Sequence, residues 1–171
     1  MYRDHLKWRK ENDVDDILHS YEMPEILREN CPRFLLNACK DGRPMWIVPC
    51  GVNVNAMLEE LTPEVIKRHG IYLLEYTESL CRSSSNEMGQ EIHTYYTVGD
   101  LEKLVLGHIY SWQALKIAAV LIRMLEDNYP ECLEKVIVIN APSFYSILWR
   151  FARTVLSERT ANKFEVYGKG T

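Results

Sequence analysis

Apolar positions along the chain follow two rhythms, and the switches between them mark out the elements. Tyr2 to Glu11, with Leu6 and Trp8 set among basic residues, predicts a helix. Pro24 to Asn30 predicts a short one that Cys31-Pro32 ends. Phe34 to Ala38 and Pro44 to Val48 predict strands flanking Lys40-Asp41-Gly42-Arg43, where Asp-Gly tolerates the positive φ of a hairpin turn. Pro44 suits only the start of a strand or an edge. Thr62-Pro63-Glu64 begins a helix, with a capping hydroxyl, proline at the first position and an acid in the first turn. Ile66, Gly70, Leu73, Leu74, Thr77, Leu80 and Cys81 carry the helical period to about Arg82. Ser83-Ser84-Ser85-Asn86 then reads as a break and a mobile surface loop. His93 to Val98 predicts a strand from its β-branched and aromatic residues. Leu115, Ala118, Ala119, Ile122 and Leu125 predict a helix over roughly Ile109 to Asp127.

The chain is organised around Asn128 to Gly168. Val136 to Ile139 is a continuous apolar run, as in a parallel strand covered on both faces. Asn140-Ala141-Pro142 stops it, since Pro142 cannot donate to a ladder. Ser143 is placed to cap a helix in which Phe144, Ile147, Leu148, Phe151, Ala152 and Val155 recur at helical spacing. Tyr145, Trp149 and Leu156 widen that apolar arc past half the circumference, more than one buried face needs. Ser157 caps a short helical restart, and Lys163 to Gly168 closes the run as a strand. Strands alternating with helices predict an α/β fold with a mostly parallel sheet flanked by helices.

Composition narrows the function. At 171 residues the chain is read as mainly one domain, large enough to bury about 70% of its unfolded surface. A formal net charge of −4 argues against a nucleic-acid partner held by phosphate neutralisation. No run reaches the ~18 to 20 apolar residues of a membrane span, and the N-terminus has no signal-peptide core, so a cytoplasmic location is expected. Cys31, Cys39, Cys50, Cys81 and Cys132 form no C-x-x-C pair and are read as free thiols. Asp13, Asp15 and Asp16 lack the grammar of a calcium loop and read as a solvated turn, so no metal is expected. There is no G-x-S-x-G elbow, Gly-rich phosphate loop or H-E-x-x-H, so neither catalysis nor a cofactor is expected.

Asn128-Tyr129-Pro130-Glu131, the buried strand, Ile139-Asn140-Ala141-Pro142, the aromatic-rich helix and Leu156-Ser157-Glu158-Arg159-Thr160 together resemble the CRAL-TRIO lipid-binding domain. Lys7 to Leu18, Lys40 to Trp46 and the segment ending at Asp100-Leu101 resemble the same family in the same order. The resemblance implies a sheet and a mobile helix enclosing an internal lipid cavity. It implies binding and intermembrane transfer of a phospholipid or other small lipid, such as a tocopherol or retinoid, with transient contact at a membrane surface. Against that pattern, residues 1–19 read as a remnant of an N-terminal helical region. Residues 20–171 read as the lipid-binding domain with its C-terminal part missing. Apolar surface at both ends would then invite a protein partner.

The resemblance also nominates residues. Period two puts Tyr95 and Thr97 on one strand face, at positions where phosphatidylcholine-binding members carry small hydroxyls. Thr97 keeps the hydroxyl, whereas Tyr95 either shortens the cavity or is an ordinary half-buried aromatic. Trp46 falls where the family has a cavity-facing tyrosine, and either lines the cavity or packs in the core. Glu131 and Lys163 match an acid and a base that recognise phosphoinositide head groups, but Cys132 stands where those members have arginine. A thiol cannot replace the bidentate donors of a guanidinium. Phe144, Leu148 and Phe151 lie on the helix that corresponds to the family's gate, the less favoured alternative being a core helix with a solvated basic edge. A scaffold or regulatory module that keeps the fold without lipid exchange is the rival reading.

Overall fold

A computed structural model describes residues 2–36, 39–51, 58–108 and 112–170. Ala38, and the start of the helix expected from Ile109, lie outside them.

Helix α1 (Tyr2–Glu11) leads through a 3₁₀ turn into α2 (Ile17–Ser20) and α3 (Glu25–Asn30). Val14 and Ile17 from this segment are fully buried against Ile71 and Met124, with Trp8 and Tyr21 packed around them. Arg9 fastens α1 down. Its guanidinium donates to both oxygens of the buried Glu75 (2.9 and 3.2 Å) and pairs with Asp15, while the Tyr129 hydroxyl donates to Glu75 at 2.7 Å.

β1 (Phe34–Leu36) and β2 (Met45–Pro49) pair antiparallel across the expected turn, where Gly42 has φ 82°. A Cβ there would meet Ile92 Cδ1 at 2.6 Å, so only glycine serves. β2 pairs in parallel with β3 (Tyr95–Asp100), β3 with β4 (Leu133–Ala141), and β4 with β5 (Phe164–Gly168). The sheet order is therefore the chain order. The parallel crossovers run through α4 (Pro63–Met88), α5 (Trp112–Asn128), and the pair α6 (Tyr145–Ala152) and α7 (Glu158–Ala161).

Several boundaries differ from expectation, and for some the structure gives the cause. α4 runs unbroken through Ser83–Asn86 to Met88, because Ser85 Oγ accepts from Ile92 N–H at 2.9 Å and bonds the Cys81 carbonyl. Gly89, left-handed at φ 66°, is the real stop. β3 starts two residues later than predicted, with Thr94 held to one side by Arg43 and Glu134. α6 has no side-chain cap from Ser143 and ends at Ala152, where the chain tightens through Thr154 N–H to the Phe151 carbonyl. Ser157 caps α7 as expected, accepting from Thr160 N–H at 3.2 Å.

Register sets the sheet's inner face in lateral rows. Leu35, Trp46, Thr97, Val136 and Phe164 lie side by side, followed by Val48, Gly99 and Val138. Leu73, Leu74 and Tyr76 of α4 cover one end of this face, around Trp46, Tyr95 and Leu133. Phe144, Tyr145 and Leu148 cover the other end, around Leu101, Leu104 and Val138.

Candidate functional site

Between those two covered ends the inner face is hollow. A recess of about 330 Å³ lies over Val48, Gly99, Val136 and Val138, roofed by Tyr145, Leu148, Trp149 and Ala152 of α6. A second of about 180 Å³ adjoins it towards α4 and α5, lined by Trp46, Leu73, Tyr95 and Met124. Thr97 and Arg33 line both, at the junction. The first lobe is walled almost wholly by carbon and falls in the range of about 300–1,000 Å³ typical of small-molecule sites.

The helix presents a different face from the one its spacing suggested. Tyr145, Leu148, Trp149 and Ala152 turn to the cavity, at the i, i+3, i+4, i+7 positions of one stripe. Phe151 lines neither lobe, and Ile147 is 42% exposed. The aromatic partners explain the rotation. Trp149 packs on Phe164 of β5 at 5.0 Å between ring centres, and Tyr145 stacks on Trp149. Phe144 remains at the cavity's upper end, packed on Leu101, Leu104 and Val138.

On β3, Thr97 stands between the lobes with its hydroxyl unpartnered among the described residues. Trp46 lines the inner lobe, but its indole N–H is already used, donating to Thr77 Oγ1 at 2.9 Å. Tyr95 is buried and hydrogen-bonded to Cys132; burial pushes its phenol far up and the Cys132 thiol to about 11. The Tyr95 ring, with Leu74 and Thr77, separates the inner lobe from a third recess of about 470 Å³ near the N-terminal ends of the strands.

That third recess is larger and has more polar groups in its wall, and its arginines are paired: Arg9 with Glu75 and Arg82 with Glu78 at 3.2 Å. Glu131 lies on its rim, held in a bidentate pair by Arg159. Lys163 donates to the Leu133 carbonyl. Of the expected site residues, Thr97 and Leu148 thus line the lobe under α6, Trp46, Tyr95 and Thr97 line the inner lobe, Phe144 packs beside Val138, and Glu131 and Lys163 sit apart at the start of β4.

The sequence reading missed Arg33 as a lining residue, and it placed Tyr145 and Trp149 in the wide apolar arc of the helix without naming them as site residues. For Arg33 a signal existed: period two from Leu35, opposite Trp46, puts residue 33 on the same face. Among the described residues, no two cysteines form a disulfide, no group of His, Cys, Asp or Glu side chains is placed to hold a metal, and no helix is long and apolar enough to cross a membrane.

Residues 29–171 match the CRAL/TRIO domain. The chain is 30% identical over 169 residues to "Protein real-time" of Drosophila pseudoobscura pseudoobscura. It is 28% identical over 162 residues to a CRAL-TRIO domain-containing protein of Caenorhabditis elegans. These alignments take in 98% and 94% of this chain but 25% and 22% of the relatives, so it spans about a quarter of their length. The crystal structure of Sfh5 superposes with a TM-score of 0.81 at 18% identity, over 98% of this chain and 57% of that one, a likeness of fold. A match over most of the chain, on a mostly parallel sheet with its helices in this order, places it: the chain belongs to the CRAL/TRIO domain family.

Proposed function

We propose that this protein carries one hydrophobic molecule in the cavity beneath α6 and exchanges it with membranes by partition, with no bond made or broken. Membership of the CRAL/TRIO family supports lipid binding in general. The observation that carries the reading is the carbon-walled lobe of about 330 Å³ whose helical roof comes from one eight-residue helix. No residue of that helix is fully buried, so lifting it exposes little that is not already half-exposed. Burial of an alkyl chain in return is worth about 0.8 kcal/mol per CH₂. Ile147, Arg150 and Arg153 are exposed on α6 and the turn after it. Near an anionic leaflet each such cation contributes about 1 kcal/mol.

A fold-retaining interaction module is supported by the Tyr95 ring closing off the inner lobe from the third recess and by Arg159 occupying Glu131. The open lobe under α6 weighs against it. Protein purified from a lipid-containing extract should carry a hydrophobic molecule by native mass spectrometry and should move lipid between vesicles. An empty protein that moves none ends the carrier reading.

A further inference from the structure

Arg33 precedes β1 by one residue, and the alternation of that strand turns it to the inner face of the sheet with Leu35 and Trp46. Its side chain is exposed at the surface and lines both lobes, and the partial loss of solvent there lowers its pKa. Among the described residues nothing is placed to accept from it. The half-buried arginines all have partners: Arg9 has Glu75, Arg43 has Asp41 and Thr94, and Arg68 has the Ser20 hydroxyl.

Nor, among the described residues, does a neighbour balance its charge from a distance. The ionisable groups within electrostatic reach are Cys31, Cys50, Tyr95 and His69. Burial raises Cys31, Cys50 (to about 11) and Tyr95, and lowers His69 to about 4, so all four are neutral at pH 7. A guanidinium does not deprotonate in a protein. The cavity therefore holds one uncompensated positive charge beside the unpartnered Thr97 hydroxyl, within walls of carbon. A guanidinium with no carboxylate beside it is free to take an anionic ligand, and it matches a carboxylate or phosphate with two parallel hydrogen bonds.

Building on the carrier reading, we infer that the ligand is an amphiphile whose anionic group, a carboxylate or a phosphate monoester, sits inside the cavity on Arg33 and Thr97 with its hydrocarbon under α6. The polar end then points inward to the junction of the lobes, level with Val136, while Glu131 is paired with Arg159 and Lys163 donates to the Leu133 carbonyl, so that neither of those residues takes part.

The test uses the full chain, stripped of lipid, at pH 8. Binding of cis-parinaric acid and of its methyl ester is followed by their fluorescence in the wild type, Arg33→Met and Arg33→Lys. The wild type should bind the acid at least tenfold more tightly than the ester. Arg33→Met should bring the two together by weakening the acid alone, and Arg33→Lys should keep part of the preference. Competition with oleate and with oleoyl lysophosphatidate, either of which should displace the probe, shows by the lower midpoint which anion is favoured. Equal binding of acid and ester by the wild type, or an unchanged ratio in Arg33→Met, overturns the anion assignment and leaves the carrier reading standing. Binding of neither probe overturns both. Should Arg33→Met not fold, the wild-type ratio and Arg33→Lys decide.

Discussion

A Cβ added at Gly99 would come no closer than 3.7 Å to its nearest neighbour, Cys50 Sγ, on the row that floors the apolar lobe. The backbone there is ordinary strand, so a valine fits the conformation and gains β propensity. Gly99→Val should melt no lower than the wild type while its uptake of fluorescent fatty acid falls several-fold; unchanged uptake would show that the ligand lies elsewhere. His69 supplies a second residue-scale prediction. It is 6% exposed, hydrogen-bonded to Tyr21 at 3.0 Å, and pushed down to about 4 by burial and then by the Arg33 charge. In the unfolded chain its pKa is about 6.5. As pH falls below that, the unfolded state takes up a proton that the folded state refuses. Stability should drop between about pH 6.5 and 4, by up to about 1.4 kcal/mol per pH unit. Urea midpoints across that window should show the slope, and His69→Gln should flatten it. The Tyr95–Thr97–Gly99 face was legible because period two needs no partner to be read. Arg33 was not, because its meaning lies in the absence of a carboxylate that only the folded neighbourhood reveals.

Elements were read well where a local signal fixes them and poorly where a tertiary contact does. The cap at Thr62, the Asp41-Gly42 turn and the restart at Ser157 are all local, and all are present. Helix α4 overran its serines because Ser85 bonds to Ile92, a residue outside the helix. That bond makes a prediction at this scale. Ser85→Ala leaves the half-buried Ile92 N–H without its acceptor and should cost about 1–3 kcal/mol in urea unfolding. Ser83→Ala, on the exposed face, should be neutral or slightly stabilising, since alanine is the better helix former. Equal effects would mean that the Ser85–Ile92 bond does not hold the end of α4. α6 shows the same limit from the other side. Its apolar arc covers so much of the circumference that spacing alone could not choose a face, and the pairing of Trp149 with Phe164 chose it.

The cavity itself belongs to the whole molecule. Strands paired in chain order with right-handed crossovers bring every crossover helix to one face of the sheet. α4 and α5 are long enough to cover their share, as 26 and 17 residues, while the third crossover is split between eight-residue α6 and four-residue α7. The uncovered length of sheet under that short crossover is the apolar lobe. Such a hollow forgoes packing that a filled core would have, since a void removes the contact partners of its lining. A ligand restores them, so the carrier reading carries a thermodynamic consequence. A ligand bound only by the folded state, present free at a hundred times its dissociation constant, stabilises by about 2.7 kcal/mol. For a domain of this size each kcal/mol raises the midpoint by about 2–4 °C. Melting of the delipidated chain should therefore rise by roughly 5–10 °C with saturating oleate. The rise should grow with the logarithm of oleate concentration and shrink in Gly99→Val. Non-specific adsorption to the exposed apolar side chains of Phe34, Leu36 or Trp112 would lower the midpoint instead, because the unfolded chain offers more such surface than the folded one. A midpoint that stays put or falls would count against a ligand held in the lobe under α6.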